Sequence, residues 1–195
     1  MRLTKEQTAK NRQQIIDTAA RVFRERGIDQ VTVADLMKEA GFTHGGFYNH
    51  FVSKEELIGE ASRAAFDKAI CGLTQLVTAD KTGREFTKNL QAYLSPAHRD
   101  DCAGGCPAAA FVGEVSHQCP DMQTAYAKGI KAFIDIFQAH FPSKAGARSK
   151  ASSREQAIEL LSNLVGALTL ARAVAKADPA LSNELLAAGR RRLPK

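Results

Sequence analysis

Three closely spaced helix starts are the feature that most limits how this chain can fold. Thr32, Thr43 and Ser53 each suit the N-cap position, where a hydroxyl accepts a hydrogen bond from a free backbone N–H group. An apolar residue directly precedes each of them, and another lies four positions after it, a pattern that fixes how a chain enters a helix. The pairs are Val31 with Leu36, Phe42 with Phe47, and Val52 with Leu57. The pattern predicts short helices joined by abrupt turns.

The first two of these starts frame a helix–turn–helix. Apolar residues at helical spacing predict a first helix that begins after Thr4 and ends at Gly27. A second helix is predicted at 33–40; it ends at Gly41 and leads within two residues to a third helix at 44–49. Two helices joined by a tight turn with glycine can place the second helix in the major groove of DNA. The spacing therefore predicts a DNA reader.

The predicted third helix is polar and small on its outer side. Gly45 and Gly46 each cost roughly 0.8–1.0 kcal/mol relative to alanine inside a helix. A helix shaped only for stability would avoid them. We interpret the missing side chains as room for close approach to a phosphate strand or to the groove floor. A fraying surface turn would produce the same pattern.

Net charge does not by itself identify the DNA-binding segment. The chain has 27 Lys and Arg against 21 Asp and Glu, a formal charge of +6. Residues 1–60 hold nine of each sign, so the basic excess lies in residues 61–195, with 18 basic and 12 acidic residues. Residues 1–12 are slightly basic and can meet phosphates, although a solvated helix start has the same composition. The functional prediction therefore rests on the motif.

Residues 10–58 resemble the TetR/AcrR family of repressors. The similarity is tightest at 31–36 and 41–57. Its most specific elements are Phe-Tyr-x-His-Phe at 47–51 and Ser-Lys-Glu-Glu-Leu at 53–57. This resemblance covers roughly a quarter of the chain, and the sequence that follows is similar to the family only in its helical pattern.

The resemblance implies an all-α fold with two domains. Residues 1–53 would form a three-helix domain that holds the helix–turn–helix, and residues 54–195 would form an effector-binding and dimerisation domain. In that second region we predict helices from apolar spacing and loops from Gly, Pro and Ser content. The predicted helices are 54–78, 82–94, 107–117, 121–140, 153–176 and 178–192, and the predicted loops are 95–106 and 142–153.

The resemblance also implies DNA-binding roles for individual residues. Thr32 and Thr43 lie at helix N-termini, where the hydroxyl, the N–H groups and the helix dipole can all meet a phosphate. Lys54 matches a phosphate contact and follows the N-cap Ser53. The other matched positions, which face the groove or the DNA backbone, are His44, Gly45, Tyr48, Asn49 and His50. His44 and Asn49 depart from the more common family pattern; Asn can read adenine, and His can donate or accept.

The last two predicted helices suit a dimer interface. Their large apolar residues alternate with small ones such as Gly166 and Ala167, so that two backbones can approach closely. The family uses this helix pair as a four-helix interface, and a helix–turn–helix reader gains from two half-sites. An intramolecular core face is the alternative. We predict a homodimer on a palindromic double-stranded DNA operator.

The middle helices are expected to enclose a cavity for a small-molecule inducer, and nothing in the sequence names that inducer. The predicted wall positions are aromatic residues at helical spacing: Phe66, Phe111, Tyr126 and Phe133.

Cys106 is a candidate sensor of electrophiles or oxidants. Pro107 suits the first position of a helix, which makes Cys106 the N-cap. Free N–H groups and the positive end of the helix dipole would then favour the thiolate, which is the reactive form. Some members of the resembled family sense through cysteine, and Cys102 is a candidate resolving partner. The alternative is a small buried thiol, with release of DNA by a noncovalent ligand.

Three other classes compete with this interpretation. An enzyme would pair Cys106 with His98 or His117, but no oxyanion-hole motif accompanies them, so we expect no catalysis. A metal sensor would use Cys102, Cys106 and scattered histidines, whose spacing is not a standard zinc pattern, so we expect no cofactor. A helical adaptor could keep the motif without binding DNA.

The sequence also favours a cytoplasmic location. It has no run of about 18 apolar residues, so we expect no membrane span. The first residues contain no apolar segment of the kind found in a signal peptide.

Overall fold

A computed structural model gives the fold and describes residues 4–80, 82–140 and 149–194. Within these ranges the chain forms helices and turns and no strands. The α-helices are α1 Lys5–Arg26, α2 Val33–Glu39, α3 Lys54–Ala79, α4 Arg84–Tyr93, α5 Pro96–Asp100, α6 Pro107–Phe111, α7 Pro120–His140, α8 Ser149–Val174 and α9 Pro179–Arg191. Two 3₁₀ helices lie at His44–Asn49 and Val115–His117. The all-α prediction is confirmed.

One contiguous apolar core joins the N-terminal helices to the remainder of the described chain. The long helix α3 packs against α1 and also against α7. Phe23 of α1 and Phe66 of α3 are both buried in this core, as are Phe47 and Phe111. Because α3 begins at Lys54 and serves both halves, the predicted boundary between residues 53 and 54 falls at a helix start and not in a linker; the division itself stays a prediction.

Helices α3 and α7 approach each other closely at Gly129. A Cβ atom at this position would collide with the ring of Phe66. That ring lies edge-on to Tyr126, with the ring centroids 5.5 Å apart. Glycine is therefore required here for close packing of the helices.

Helices α8 and α9 pack against each other near the C-terminus. Asn163 of α8 donates a hydrogen bond to the Gly189 carbonyl of α9 at 3.0 Å. By length and apolar composition alone, Ser153–Val174 could cross a membrane. A third of that window is buried, and core helices of soluble proteins pass the same test, so this is weak evidence for a span.

The structure corrects several predicted boundaries. The predicted loop 95–106 contains α5, because Ser95 accepts the His98 N–H and Pro96 occupies the first helical position. The predicted helix 107–117 is divided into α6 and a 3₁₀ turn, with Gly113 in the break. Of the predicted loop 142–153, residues 142–148 lie outside the described residues, and α8 already begins at Ser149.

Candidate nucleic-acid interface and cavity

Bonds between residues close in sequence cap α2 and fix the turn that follows it. The Thr32 Oγ1 atom accepts the Asp35 N–H at 3.2 Å, and the Asp35 carboxylate accepts the Thr32 N–H at 3.1 Å. The Thr32 hydroxyl, followed by its N–H, lowers the pKa of Asp35. Gly41 ends α2 with φ +81°, a left-handed conformation that glycine adopts without strain. The Phe42 N–H then donates to the Met37 carbonyl at 2.8 Å, which fixes the turn.

The third helix of the motif lies at the predicted residues, His44–Asn49, and is a 3₁₀ helix. Its inner side is anchored by Phe47, which stacks on Phe51 with the ring centroids 5.5 Å apart. Its outer side presents His44, Tyr48 and Asn49 to solvent, and Tyr48 is 68% exposed. The segment therefore has the fixed inner side and open polar outer side that a groove-binding element needs.

Neither the packing nor the backbone conformation of the described residues requires glycine at position 45. No described atom lies within 4 Å of the position that a Cβ atom would take there, and its φ is not in the left-handed region. Gly46 would meet Met37 and Thr43 only at ordinary van der Waals distance. The space beside these glycines is therefore left open toward the outside of the molecule.

The side chains predicted to contact phosphates differ in how many hydrogen bonds they already make within the protein. Thr43 occupies the N-cap position, but its side chain makes no capping bond within the described residues. The hydroxyls of Thr32 and Ser53 are used as caps, the latter accepting the Glu56 N–H at 3.3 Å. Lys54 is half-buried, and its ammonium donates to the Ile28 carbonyl at 3.0 Å. Two of its three N–H donors remain for a phosphate.

His50 lies between the motif and α1. Its Nδ1 atom is buried and has no hydrogen-bond partner in the described part of the chain. Burial, and then the charge of Arg12, lower the pKa of His50. Arg12 donates to the His50 carbonyl at 3.2 Å, pairs with Glu56 at 3.0 Å and with Glu60, and stacks over Phe51. Arg12 is therefore engaged inside the protein, where it fixes the segment that carries His50.

A cavity of about 360 Å³ lies between α3, α4, α7 and α8. Its apolar wall includes Leu90, Phe133, Phe137 and Leu164. Its polar wall is formed by residues of α1, α3, α4 and the segment that follows α4: Arg24, Lys68, Asn89, Tyr93, His98 and Cys106. Pockets for small molecules have volumes of about 300–1,000 Å³ and combine an apolar wall with a few polar groups, as this one does.

Cys106 is the N-cap residue of α6, as predicted, and its side chain lies at the cavity wall. The Nδ1 atom of His98 lies 2.7 Å from the Tyr93 carbonyl oxygen, to which it donates. The Nε2 atom of the same ring accepts the Cys106 N–H at 3.3 Å. Burial lowers the pKa of His98, consistent with a neutral ring that holds the cysteine backbone in place.

Tyr93 brings a buried hydroxyl to the same place. Its Oη atom has no hydrogen-bond partner among the described residues. Burial raises the pKa of Tyr93 well above its ordinary value, and the nearby Cys106 side chain raises it further. The Cys106 side chain is thus the polar group beside this buried hydroxyl.

Arginines from distant helices hold the backbone of residues 94–106, which we call the cavity loop. Arg24 donates twice to the Ala103 carbonyl, at 3.0 and 2.6 Å. Arg172 donates to the carbonyls of His98 at 2.9 Å and Arg99 at 3.0 Å. Arg190 donates to the Leu94 carbonyl. The cavity loop is thus fixed by contacts far apart in sequence.

The structure brings only some of the predicted effector residues to the cavity. Phe133 and Cys106 line it, whereas Phe66, Phe111, Tyr126 and Cys102 do not. Phe66 is taken up by packing on Gly129, and Phe111 is fully buried in the core. The Tyr126 hydroxyl donates to the Ala108 carbonyl at 3.0 Å, and burial, followed by the charge of Cys106, raises its pKa to about 12. The Cys102 thiol faces the Arg99 carbonyl at 3.8 Å.

Sequence reasoning missed Arg24, Lys68 and Tyr93. In the sequence Arg24 resembles any basic residue at the end of a helix, and Tyr93 follows the apolar spacing of a core position. Only the fold shows that both lie beside Cys106. Within residues 4–80, 82–140 and 149–194, no three His, Cys, Asp or Glu side chains converge as they would for a metal ion.

Comparison with known proteins matches the geometry of the N-terminal region. Residues 15–61 match the family of bacterial regulatory proteins, tetR family. The HTH-type transcriptional repressor KstR2 of Rhodococcus jostii is 29% identical over 115 residues, 59% of this chain and 55% of that protein. The regulator TtgR of Pseudomonas putida is 45% identical over 58 residues, 30% of this chain and 28% of that protein. The matched region thus spans about half of the first relative and under a third of the second.

Solved structures share the fold along nearly the whole chain. The reduced form of E. coli NemR superposes with a TM-score of 0.74 at 22% identity, covering 93% of this chain and 94% of its own. A TetR-family transcriptional regulator from Cytophaga hutchinsonii gives a TM-score of 0.74 at 20% identity, covering 98% and 96%. Residues 15–61 are therefore similar to the tetR family of bacterial regulatory proteins, and the solved structures show that the chain shares their fold.

Proposed function

We propose that this protein is a DNA-binding transcriptional regulator, a repressor that leaves its operator when a small molecule occupies the cavity or modifies Cys106. The observation that carries the proposal is the 3₁₀ helix His44–Asn49. Its buried Phe47 fixes it to the core, its outer polar side chains are free, and Gly45 leaves open space that the fold itself does not use. The repressor role follows relatives such as KstR2, whose name states it.

The same helix is expected to read DNA as part of a homodimer. Helices α8 and α9 leave large apolar side chains open to solvent, with Ile158, Leu170 and Leu181 between 40% and 56% exposed. Burial of such a surface against a second copy is favourable by about 25 cal/mol for each Å² removed from water. Two linked reading heads would then meet two half-sites of a palindrome.

Three residue pairs connect the cavity side of the molecule with the DNA-binding helices through hydrogen bonds. Arg24, in the last turn of α1, holds the Ala103 carbonyl of the cavity loop. Glu114, which follows α6, accepts the Ile28 N–H at 2.8 Å, and Gln118 donates to Asp29 at 3.0 Å. A shift of the cavity loop or of α6 would therefore move the turn between α1 and α2, and with it the angle at which the reading helix meets the groove.

Cys106 is the residue through which a reactive effector would act. Its thiol lies at the cavity wall, and the residue caps α6, the helix that leads to Glu114. Addition of a bulky group to this sulfur would fill the cavity and displace both the cavity loop, which Arg24 holds, and α6, which leads to Glu114. A noncovalent ligand that fills the same space would have the same effect.

Selection of bound sequences from a random DNA pool tests the DNA-binding part. We expect a palindrome whose half-site centres lie one or more helical turns apart, one turn being about 34–36 Å. Sedimentation of the free protein should give a dimer. Selection of an asymmetric single site would contradict the proposal. So would a monomeric protein that binds the operator as tightly as the dimer does.

A DNA-release assay with Cys106→Ser tests the effector part. Treatment of the parent with a mild electrophile such as a quinone should free the DNA, and peptide mapping should locate the adduct on Cys106. The matched control is Cys71→Ser, because Cys71 is exposed on α3 away from the cavity. If Cys106→Ser releases DNA as readily as the parent, the cysteine is not the sensor and a noncovalent inducer is left.

A further inference from the structure

We propose that the cavity selects an anionic electrophile: a small conjugated carbonyl compound with an apolar end and a carboxylate, which Arg24 and Lys68 hold while Cys106 adds to it. The inference rests on the proposed function, since it names the chemical class that the same site would take.

The charge of the cavity wall is positive. Arg24 and Lys68 line it, and none of the described lining residues is an Asp or Glu. His98 adds no charge, because its two ring nitrogens are used as one donor and one acceptor in the cavity loop. The nearby acid Asp101 is exposed, and its carboxylate accepts the Gly104 N–H at 2.8 Å. The cavity therefore attracts an anion.

Arg24 has donors left to bind that anion. Its Nε and one terminal nitrogen bond to the Ala103 carbonyl, and its other terminal nitrogen, Nη1, has no partner among the described residues. Burial lowers the pKa of this guanidinium, and the charges of Asp101 and Cys106 offset that effect in part. Within the described residues Arg24 forms no ion pair at salt-bridge distance, so a carboxylate that enters the cavity would bring a close counter-charge to a half-buried arginine.

The buried hydroxyl of Tyr93 suits a ligand with an oxygen acceptor. Its Oη atom is buried at the cavity wall beside the Cys106 side chain. A ligand carbonyl placed over the thiol would accept this hydrogen bond. The hydroxyl would then polarise the carbonyl and stabilise the negative charge that develops on its oxygen during addition.

The opposite wall fits the apolar end of such a ligand. Phe133, Phe137 and Leu164 line the cavity there, and the volume of about 360 Å³ suits a compound of one aromatic ring with a short side chain. The apolar wall thus fits the ring of the ligand, and the Tyr93 hydroxyl fits its carbonyl oxygen. The Cys106 thiol reaches the electrophilic carbon, and the two cations bind the carboxylate.

The covalent step is an addition without an oxidant. The Cys106 sulfur forms a bond to the carbon β to the carbonyl, and the electron pair of the carbon–carbon double bond moves onto the carbonyl oxygen as the enolate. The proton lost by the thiol returns to the α-carbon, so that the net change is addition of S–H across the double bond.

The test compares 3-benzoylacrylate with its methyl ester, which has the same reactive core and no charge. The rate of Cys106 modification is measured by mass spectrometry of the full-length protein and by peptide mapping. Each rate is divided by the rate of the same compound with glutathione, which removes the difference in intrinsic reactivity. In the parent, the normalised rate of the acid should exceed that of the ester by about tenfold or more, the effect of a hydrogen bond to a charged group.

Variants identify the cations responsible. Arg24→Gln should bring the two normalised rates close together, and Lys68→Gln should reduce their ratio in part. Arg24→Lys keeps the charge and should keep a measurable preference. The matched control is Arg63→Gln, which removes an exposed charge from α3 away from this cavity and should leave the ratio unchanged.

Saturated 3-benzoylpropionate, which cannot add a thiol, supplies a readout that does not depend on variants. It should slow modification of the parent by the unsaturated acid, and its methyl ester should not. If Arg24→Gln fails to fold, this competition and the Lys68→Gln variant still test whether the cavity prefers the anionic compound.

Equal normalised rates for acid and ester in the parent would overturn the inference, as would a preference that survives both Arg24→Gln and Lys68→Gln. The proposed function is judged separately. If the ester modifies Cys106 and frees the DNA, cysteine sensing stands without anion selection. If neither adduct frees the DNA, cysteine sensing fails even where the anion preference is measured.

Discussion

The helix–turn–helix and the cavity loop differ in the range of the contacts that hold them: residues close in sequence cap the helices of the first, whereas arginines far along the chain bind the backbone of the second. In the first, Thr32 caps α2 through Asp35 and Ser53 caps α3 through Glu56, each three positions away. In the second, Arg24 reaches Ala103 across 79 positions and Arg172 reaches His98 across 74. The reading head can therefore keep its shape while the cavity loop changes. A regulator needs this division, because the effector must alter the placement of the reading helices and not their fold.

The largest expected difference between the two regions concerns glycine. A Cβ atom at Gly105 would lie 2.5 Å from the Asp101 carbonyl and 2.8 Å from the Arg172 guanidinium, so Gly105→Ala forces the cavity loop apart. We expect it to lower the free energy of unfolding by about 1–3 kcal/mol. The control Gly45→Ala meets no described atom; stability should stay equal or rise by up to about 1 kcal/mol, while operator affinity falls. Urea denaturation and DNA titration of both variants measure this, and equal stability losses would remove the contrast.

The next effect concerns the arginines of the cavity loop. Arg172→Gln leaves the carbonyls of His98 and Arg99 without their donors, and we expect a loss of about 1–3 kcal/mol in stability. Arg154→Gln removes a surface ion pair with Asp135, whose members are 42% and 52% exposed, and should change denaturation little. A small effect for Arg172→Gln would mean that water replaces its bonds and that the loop is less dependent on distant contacts than we infer.

Within the helix–turn–helix, substitutions at a base contact and at a phosphate contact should affect DNA binding differently. Asn49→Ala should relax preference at one operator position by roughly 1–3 kcal/mol, if Asn49 reads a base. Lys54→Ala should weaken all sequences alike and reduce the dependence of log affinity on log salt by about one unit. Competition binding with cognate and random DNA at several salt concentrations distinguishes the two. Equal losses on both DNAs for Asn49→Ala would refute its base-reading role.

The smallest effect separates two threonines with the same sequence context. Thr32→Ala removes a complete capping box and should cost about 1 kcal/mol of stability. Thr43→Ala removes a hydroxyl that caps nothing in the described structure, so its stability should be unchanged while its operator affinity decreases. Thermal unfolding measures the stability of the two variants, and DNA titration measures their operator affinity. A stability loss at Thr43 equal to that at Thr32 would show that its hydroxyl has a structural role.

Sequence reasoning succeeded where contacts are short in range. The N-caps at Thr32 and Ser53 and the glycine turn at Gly41 depend on residues three to five positions apart, so their pattern is visible in the chain. It did not distinguish a 3₁₀ helix from an α-helix at His44–Asn49, because both begin with the same cap and bury the same Phe47.

The cavity could be predicted only in outline. Apolar spacing correctly placed Phe133 at a wall, and the Cys-Pro pair marked Cys106 as a helix start. Spacing could not show which way an aromatic residue faces: Phe66 packs on Gly129 and lines a second cavity between α3 and α7, not the one beside Cys106. Arg24 and Tyr93 reach the cavity through the packing of whole helices, and no local pattern records that.

The bond between Ile28 and Glu114 has a consequence for how the protein would respond in a cell. If filling the cavity weakens operator binding through this connection, then operator binding must weaken occupancy of the cavity by the same factor, because linkage between two sites is reciprocal. Coupling free energies of this kind are typically about 1–3 kcal/mol, or about 5–150-fold in affinity. The dose of effector needed for half-release would then increase with the tightness of the operator, so that one protein could switch different genes in sequence, weak sites first and strong sites last.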